Sequence, residues 1–513
     1  MCSIAGLYGN FKGNDLIKML KASKNRGPDS SGVFLDDIYL DVDLDNFDDD
    51  NTYSIALGHN LLSIYDLFDR QSVIQPVRND NLVLVFNGEL YNFNTVRNLL
   101  KKLGVEAEIK SDSEALLYLI DFYNDEDLLK AIEMAQKMID GDYAFAVWDG
   151  NNLAIARDPL GVKPLFYCVC DDLCAFASSR DSLYELGFDE IETLLPEHIL
   201  FNWSDVAPAQ KIYEKFIEVD GSKLNKLLKL SVSKRVEGLD SVGVIFSGGV
   251  DSSILAMLLK DISFNKKLDI TLYAVGREGS KDLEAAKYAA EYLELPLKTQ
   301  LLSEELIKEH IGEVVHAIGD DNLMKVGVGL TTYFATRLAH EDSIKVAVSG
   351  QGADELFGGY NRYLKSFDEG NLEIEIREDI SNMYHVNLER DDACAMLNSV
   401  ELRLPFLDEK LVEYAINLPV KYKISGSGDI LRKNILRKLA FNEGLDTEIA
   451  YRPKKAAQYG TGIDKILRKK IIKEIDLKEF LWVILSNKFS MGYFHIALIY
   501  HCILHCCINL YVS

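Results

Sequence analysis

The segment that most constrains the fold of this chain is Ser-Gly-Gly-Val-Asp-Ser-Ser at residues 247–253. An apolar run at 242–246 precedes it, and an apolar run with helical periodicity continues to residue 260. Glycines let backbone amides approach a ligand closely, and the N-terminus of the following helix favours an anion. This order predicts a pyrophosphate site at the end of a buried strand. The alternative is a glycine turn followed by an Asp-Ser helix cap.

The same alternation of strands and helices continues over residues 222–479. The expected elements are strands at 242–246, 271–275, 297–302 and 345–348, and helices at 252–260 and 283–293. Strands that alternate with helices predict a doubly wound parallel sheet, whose ligands bind at the carboxyl ends of the strands. We therefore expect an α/β domain here.

A second glycine-rich segment, Ser-Gly-Gln-Gly-Ala-Asp-Glu-Leu-Phe-Gly-Gly-Tyr, occupies residues 349–360 directly after the last expected strand. Its Asp354 and Glu355 can supply carboxylates for a metal or a pyrophosphate opposite Asp251 of the first segment. The first segment has no lysine of the Walker type. Asp251 holding Mg²⁺ against the phosphates therefore favours cleavage between the α- and β-phosphates over γ-phosphoryl transfer. The alternative for the second segment is a helix cap at Asp354.

Residues 1–205 have a different pattern of hydrophobicity. Short runs of alternating hydrophobicity, separated by turn residues, predict antiparallel strands, and helices are expected at 114–123 and 128–138. This half is therefore expected to be an α+β domain. The acidic stretch 36–51 is expected to be an exposed loop, and residues 206–221, around Pro208, are expected to be a linker.

Cys2 is the first candidate for catalysis. A small residue after the initiator methionine favours removal of that methionine, which would give Cys2 a free α-amine able to accept the thiol proton. The alternative is a strand cysteine without chemistry, because lone cysteines are commonly inert.

Composition excludes several classes of protein. The net charge of −24 argues against a general nucleic-acid binder, which needs a basic face. Eight cysteines in 513 residues are too few for a disulfide scaffold, and the N-terminus lacks a signal-peptide pattern, so we expect a cytoplasmic protein. Cys168, Cys170 and Cys174 are expected to be strand residues, with zinc binding the weaker alternative.

Residues 480–513 differ in composition from the rest of the chain, because no Asp, Glu, Lys or Arg follows Lys488. An uncharged stretch of this length can span a bilayer, but three histidines and a polar break near 490–492 argue against it. The cluster of histidines and cysteines at 501–507 also permits a metal site. An atypical tail, foreign to the fold, is the remaining interpretation.

Several motifs occur in an order that is specific to one family. They are Arg-Gly-Pro-Asp at 26–29, Asn-Gly-Glu-Leu-Tyr-Asn at 87–92, Ser-Asp-Ser-Glu at 111–114, Arg-Asp-Pro-Leu-Gly at 157–161, both glycine segments, Glu-Leu-Arg-Leu-Pro-Phe-Leu-Asp at 401–408 and Arg-Pro-Lys at 452–454. With Cys2, they resemble those of the B-type, glutamine-hydrolysing asparagine synthetases. The resemblance implies an N-terminal-nucleophile-type sandwich, shared with class II glutamine amidotransferases, followed by an ATP-pyrophosphatase-like domain.

The resemblance implies a role for each motif residue of the first half. Cys2 would attack the side-chain amide of glutamine, with Asn87 and the backbone N–H of Gly88 as the oxyanion hole. Glu89 and Asp112 would bind the α-amine of glutamine. The products would be ammonia and a glutamyl thioester.

In the second half, the resemblance implies ATP as a substrate, Mg²⁺ at Asp251 and Asp354, and Lys454 stabilising charge on the α-phosphate. The residues expected to contact ATP are Ser247, Gly248, Gly249, Asp251, Ser252, Ser253, Val275, Gly276, Ser349 and Gly350. Aspartate would displace pyrophosphate to form an acyl-adenylate, and ammonia would convert it to asparagine and AMP.

The chain also departs from the family pattern. Leu61 stands where the family usually has an arginine for the glutamine α-carboxylate, and Gln351 stands where a glutamate is frequent. Residues 321–330 lack the threonine and arginine pattern associated with aspartate. The alternatives are therefore an amidotransferase for another carboxylate, or a non-catalytic relative that binds nucleotide. We expect small-molecule substrates and no nucleic acid or membrane partner, and a homodimer is left open.

Overall fold

The computed structural model describes residues 2–67, 70–170, 172–208, 219, 221–453, 456–478 and 480. The strands of the first half are β1 (Ser3–Lys12), β2 (Ser30–Leu35), β3 (Ile38–Val42), β4 (Thr52–Leu61), β5 (Asp66–Leu67), β6 (Arg70–Gln71), β7 (Val77–Arg78), β8 (Val83–Leu90), β9 (Gly141–Trp148), β10 (Leu153–Arg157), β11 (Phe166–Cys168), β12 (Leu173–Ala177), β13 (Glu192–Thr193), β14 (Ile199–Phe201) and β15 (Ser204–Val206). Its helices are α1 (Gly13–Ala22), α2 (Phe93–Lys102), α3 (Asp112–Tyr123), α4 (Leu128–Gln136) and α5 (Arg180–Tyr184).

These strands form two antiparallel sheets. In the described residues, one sheet has the order β13-β11-β12-β1-β4-β2-β3 and the other the order β15-β14-β10-β9-β8-β7. The inner faces meet in a core that includes Phe34 and Leu57 from the first sheet and Val85 and Ile155 from the second. Alternating apolar residues on facing strands produce this packing, because every second side chain points inward.

Helices cover both outer faces of the two sheets. Leu16 and Leu20 of α1 pack in the cluster beneath the first sheet, and Leu116 and Ile120 of α3 pack in the cluster above the second. The first half is therefore a four-layer sandwich, which confirms the predicted α+β class and the sandwich that the resemblance implies.

Two local predictions for this half are wrong. The acidic stretch 36–51 is not all loop, because β3 (Ile38–Val42) pairs with β2 at the edge of the first sheet. Two of its apolar residues, Ile38 at 41% and Leu40 at 42%, are exposed, so the alternation that marks a buried strand is weak at this edge. Cys170 is not in a strand; it is exposed and follows β11, whereas Cys168 and Cys174 lie in strands.

The second half contains the strands β16 (Ser241–Ile245), β17 (Asp269–Gly276), β18 (Leu297–Leu301), β19 (Val346–Val348) and β20 (Glu401–Arg403). Its helices are α6 (Gly221–Arg235), α7 (Val250–Ser263), α8 (Lys281–Leu293), α9 (Glu304–Ile318), α10 (Leu323–Glu341), α11 (Ala353–Phe357), α12 (Tyr363–Asp368), α13 (Leu372–Met383), α14 (Glu389–Met396), α15 (Glu409–Asn417), α16 (Asn434–Asn442), α17 (Thr447–Ala450), α18 (Ala457–Gly460) and α19 (Ile463–Lys469). Short 3-10 turns occur at Lys24–Arg26, Pro405–Leu407, Val420–Tyr422 and Ile471–Lys473, and a π turn at Tyr384–Leu388.

All the described strand pairs of this half are parallel, in the order β18-β17-β16-β19-β20. The chain builds outward from β16 through β17 to β18 and then continues on the other side with β19 and β20. The strand order therefore reverses between β16 and β19. Crevices at such a reversal are where doubly wound sheets bind ligands, and both glycine segments begin there.

The end of the chain lies mostly outside the described residues. Phe480 packs beside Gly312 of α9, where an added Cβ would lie 2.7 Å from its ring. Residues 481–513, for which the sequence leaves a membrane span and a metal site open, are not among those described. Within the described part, no helix is both long and apolar enough to cross a membrane.

Candidate active sites

A pocket lies at the start of β1, in the first half of the chain. Its walls include Cys2, Leu61, Gly88, Glu89 and Asp112, so five positions singled out from the sequence are together. β8 carries two of them, and α3 begins at a third. The pocket is therefore built where a strand end of each sheet meets a helix start.

Cys2, which lines this pocket, lies against Asn87. The backbone N–H of Cys2 donates to Asn87 Oδ1 at 3.1 Å, and Asn87 Nδ2 donates to Ser178 Oγ at 3.4 Å. Burial raises the pKa of the Cys2 thiol, although a contact with the backbone of Leu62 opposes this shift. The thiol therefore needs a base to become a nucleophile near neutral pH.

Gly88 follows Asn87 in β8 and pairs with Tyr143 of β9. A Cβ at this position would lie 2.4 Å from the backbone oxygen of Asp142 and 2.8 Å from Tyr143 Cα. Because those are backbone atoms of the neighbouring strand, only glycine fits without moving the sheet. The requirement for Gly88 is therefore at least partly structural.

The carboxylates of Glu89 and Asp112 converge on Arg70, which sequence reasoning did not single out. Arg70 Nη2 contacts Glu89 Oε1 and lies 3.1 Å from each oxygen of Asp112. The backbone N–H of Leu90 also donates to Asp112 Oδ2 at 2.7 Å. Burial and the charge of Glu89 raise the pKa of Asp112 to about 7, against the opposing charge of Arg70. An ammonium group that enters the pocket would therefore lie beside the carboxylates of both Glu89 and Asp112.

The second half of the chain completes this pocket. Arg403 of β20 donates to Glu89 Oε2 at 3.0 Å and to the hydroxyl of Tyr65 at 3.1 Å. Its Nε donates to Glu401, which lines the pocket. Although burial opposes it, the charges of Lys163 and Arg403 hold the pKa of Glu401 well below its usual range. The motif 401–408 lies in the second half of the chain, but two of its residues, Glu401 and Arg403, help to form the pocket of the first half.

The first glycine segment forms a tight loop between β16 and α7. Gly248 has φ of +64°, and a Cβ there would lie 2.4 Å from the backbone of Ala285, so glycine is required. The hydroxyls of Ser247 and Ser252 are 3.4 Å apart. The Ser253 hydroxyl is buried without a hydrogen-bond partner in the described part of the chain. A loop with donors at a helix N-terminus is a suitable cradle for phosphate oxygens.

The second glycine segment packs directly on the first. A Cβ at Gly350 would lie 3.1 Å from Asp251 Cβ and 3.5 Å from the backbone nitrogen of Ser252. The backbone N–H of Ser349 donates to the carbonyl of Arg403 at 3.0 Å. Val275 and Gly276 end the neighbouring strand β17. The predicted ATP-binding residues therefore lie at the carboxyl ends of three neighbouring parallel strands.

Asp251 and Asp354 both bind the ammonium group of Lys433, another residue that sequence reasoning missed. Lys433 Nζ lies 2.7 Å from Asp251 Oδ2 and 2.6 Å from Asp354 Oδ1, and its side chain is fully buried. Two carboxylates from different loops thus already converge on one cation position. The donor set fits Mg²⁺, which proteins commonly hold by one or two carboxylates together with substrate phosphates.

Backbone geometry holds Lys433 at this point. Arg432 and Lys433 have φ of +55° and +52°, a left-handed conformation that costs about 1 kcal/mol or more for each non-glycine residue. Gly359 leaves the space for the pair, because a Cβ there would lie 1.9 Å from Asp354 Oδ1. Glu355 is elsewhere: it accepts from Tyr360 at 2.5 Å and from Asn387 at 2.7 Å. Of the two adjacent carboxylates, only Asp354 contacts this ammonium.

Lys454 lies outside the described residues, so its predicted role stays a prediction. Its motif neighbour Arg452 is described and contacts the first loop. Arg452 Nη1 donates to the carbonyl of Ser247 at 3.1 Å, and Nη2 donates to Asp282 at 2.7 Å. The motif 452–454 therefore adjoins the phosphate loop.

The fold and the two sites define the chain as a glutamine amidotransferase sandwich joined to an ATP-binding parallel-sheet domain. A model of glutamine amidotransferase domains matches residues 1–229, and a model of asparagine synthase matches residues 223–377 and 368–480. The chain belongs to the family of glutamine-hydrolysing asparagine synthetases.

Three relatives illustrate the similarity, which covers about nine-tenths of this chain. A Methanocaldococcus jannaschii protein, provisionally named asparagine synthetase (glutamine-hydrolyzing) 1, is 39% identical over 91% of this chain and 95% of its own. The asparagine synthetase (glutamine-hydrolyzing) of Gallus gallus is 27% identical over 93% of this chain and 88% of its own. That of Homo sapiens is 26% identical over 92% of this chain and 87% of its own.

Proposed function

We propose that this protein converts L-aspartate to L-asparagine with ATP, using ammonia that it releases from glutamine at Cys2. Residues 1–205 would form the glutaminase, 206–221 the linker, 222–479 the synthetase and 480–513 an appended tail. The products would be asparagine, glutamate, AMP and pyrophosphate. The five described cysteines are free thiols, which suits a cytoplasmic location.

The observation that carries this proposal is the position of Arg403. Its side chain donates to Glu89 in the Cys2 pocket, and its backbone oxygen accepts from Ser349 in the phosphate crevice. One residue therefore contacts both sites. This arrangement is expected of an enzyme in which the product of one pocket is consumed in the other.

In the first pocket, the Cys2 thiolate would attack the side-chain carbonyl carbon of glutamine, and ammonia would leave. Asn87 Nδ2 and the N–H of Gly88 are proposed to stabilise the oxyanion of the tetrahedral intermediate. The α-amine of processed Cys2 is proposed as the base that its buried thiol requires. Water would then hydrolyse the glutamyl thioester to glutamate and restore the thiol.

In the second pocket, a carboxylate oxygen of aspartate would attack the α-phosphorus of ATP and expel pyrophosphate. Ammonia would then attack the acyl carbon of the adenylate, and AMP would leave. The two glycine loops are proposed to bind the phosphates, with the Ser253 hydroxyl as a donor that is ready for an acceptor. Lys454 is proposed to stabilise the α-phosphate. Activation is needed because a free carboxylate has no good leaving group for ammonia to displace.

Asp251 and Asp354 are the residues that would hold Mg²⁺, which supplies charge neutralisation for the phosphates when bound. In the structure Lys433 already neutralises these two carboxylates. Its ammonium can equally pair with phosphate oxygens that enter the crevice.

Two variants test the proposal in separate halves. Cys2→Ala should lose asparagine synthesis from glutamine but keep synthesis from ammonium chloride, whereas Asp251→Asn should lose both and keep glutamine hydrolysis. Asparagine, glutamate and AMP are measured for each nitrogen donor, and Cys170→Ala, at an exposed cysteine, serves as the matched control. A wild-type protein that forms no asparagine and AMP from aspartate, or a Cys2→Ala variant that still uses glutamine, would refute the function.

A further inference from the structure

Glutamine, the amide donor in the proposed function on which this inference rests, carries an α-ammonium and an α-carboxylate on the same carbon. The pair Glu89 and Asp112 suits the ammonium. The carboxylate needs a cation nearby, and Leu61 on the pocket wall cannot provide one because its side chain is apolar. The pocket must therefore recruit a positive charge from another element.

Arg70 lies where such a charge is needed. It belongs to the short hairpin of β5 and β6, and the next residue, Gln71, lines the pocket and donates its backbone N–H to Lys110 at 2.8 Å. The guanidinium is stacked 4.1 Å above the ring of Tyr65 and is nearly buried, at 8% exposure. Its charge is thus held at low dielectric beside the substrate pocket.

The hydrogen bonding of Arg70 is incomplete. Its described hydrogen bonds use Nη2, which contacts Glu89, Asp112 and the carbonyl of Leu90. Its Nε is buried and has no hydrogen-bond partner among the residues that the structure describes. A guanidinium has five N–H donors, so this side chain can bind a carboxylate as well.

Most of the other cations near the pocket are already paired. Arg403 donates through all three of its nitrogens, and Arg26 pairs with Asp392 at 2.6 Å in the second half. Lys24 pairs with Asp45 at the surface. Lys163 is fully buried and its Nζ has no hydrogen-bond partner in the described part of the chain, but its ion pair, at 3.9 Å, is with Glu401 and not with the two carboxylates that suit the ammonium. Arg70 is the cation that touches both of them.

We propose that Arg70 binds the α-carboxylate of glutamine and thereby makes this site specific for an α-amino acid. In the empty pocket its guanidinium occupies the place of the substrate ammonium, between Glu89 and Asp112. The incoming ammonium takes over those two carboxylates, and the released N–H groups of Arg70 pair with the carboxylate on the same α-carbon. No buried charge loses its partner in this exchange, which keeps the cost of binding low.

The test compares two amides that differ in one group. Glutamine carries the α-carboxylate, and 4-aminobutanamide lacks it but keeps the amine and the amide. Arg70→Ala should lower kcat/KM for glutamine about tenfold to a hundredfold, mainly through KM, as expected for loss of a charged hydrogen bond. For 4-aminobutanamide kcat/KM should be unchanged or higher. For Arg70→Lys, kcat/KM with glutamine should lie between the values of the wild type and Arg70→Ala. With 4-aminobutanamide, Arg70→Lys should not differ from the wild type in this way.

Three further measurements make the result decisive. Arg78→Ala is the matched control, because Arg78 is exposed and stacks 3.7 Å from Tyr39, outside the pocket. In the double variant Leu61→Arg, Arg70→Ala, the KM for glutamine should return most of the way to the wild-type value. Synthesis of asparagine from ammonium checks that each variant is folded and should stay at the wild-type rate.

Equal losses with both amides would overturn the inference, because Arg70 would then act only by holding Glu89 and Asp112. An unchanged glutamine KM in Arg70→Ala would overturn it as well. Failure of the wild-type protein to hydrolyse glutamine would instead refute the proposed function and, with it, this inference.

Discussion

Gly359→Ala is the most informative single change in the synthetase crevice. The added Cβ would lie 1.9 Å from Asp354 Oδ1 and 2.2 Å from Lys433 Cε. Both distances are more than 1 Å short of van der Waals contact, which begins at about 3.5 Å. Both atoms are at the ends of side chains, so they can retreat while the backbone stays in place. The variant should therefore fold.

The size of the effect follows from the contact that is lost. A retreat of 1 Å or more separates Lys433 from Asp354, whose atoms are now 2.6 Å apart, because hydrogen bonds weaken steeply beyond about 3.2 Å. A charged hydrogen bond contributes about 1.5 to 3 kcal/mol, which corresponds to about tenfold to a hundredfold in rate. We expect a loss of that size in asparagine synthesis.

The assay follows AMP and asparagine with saturating ammonium, which bypasses the first pocket, and glutamine hydrolysis is measured separately. Hydrolysis should be unchanged. Gly426→Ala is the matched control, because a Cβ at Gly426 meets nothing within 4 Å. Wild-type synthesis by Gly359→Ala would refute the role of the pair. A collapse of the melting temperature would refute the reasoning that only side-chain ends must move.

Three further predictions concern other parts of the molecule. Because the pKa of Asp112 is raised to about 7, kcat/KM for glutamine should fall as the pH drops through that value and the carboxylate is protonated. The variant Asp112→Asn should have a low kcat/KM for glutamine at every pH and should lack this inflection. Lys433→Met should abolish synthesis, yet Mg²⁺ alone should raise its melting temperature more than that of the wild type, since the competing ammonium is gone; an equal shift would contradict the shared cation position. Ending the chain after Phe480 should preserve ammonium-dependent synthesis, because Phe480 packs on α9 and no predicted catalytic residue follows it; an inactive, unfolded product would show that the tail belongs to the core.

The fold class was predictable because its periodicities are local. Strand alternation before residue 205 and strand-helix alternation after 222 are properties of neighbouring residues, and the core faces follow from them. The strand β3 was missed because an edge strand with half-exposed Ile38 and Leu40 is not distinguished from a loop by burial.

The site residues also divide into those that a local sequence pattern predicts and those that it does not. Asp251 and Asp354 could be paired from sequence because each follows a strand of one parallel sheet, and such strands end at a common edge. Arg70 and Lys433 could not, because their positions depend on a two-strand hairpin and on two left-handed residues that no local pattern encodes. The available signal was the expected convergence of two carboxylates at one point, because a buried acidic pair requires a counter-charge somewhere in the chain.

Buried ion pairs between the halves explain how the two pockets are kept in a fixed relative position. Arg26 with Asp392 and Arg403 with Glu89 cross the interface with almost no exposure of either side chain. Such pairs add little net stability, but separating one leaves an uncompensated buried charge at a cost of about 3 to 5 kcal/mol. Sliding one half over the other would break several pairs at once, so intermediate positions are strongly disfavoured. The interface thus selects one relative placement of the pockets, which a reactive, neutral ammonia molecule needs in order to reach the second site before it is lost to solvent.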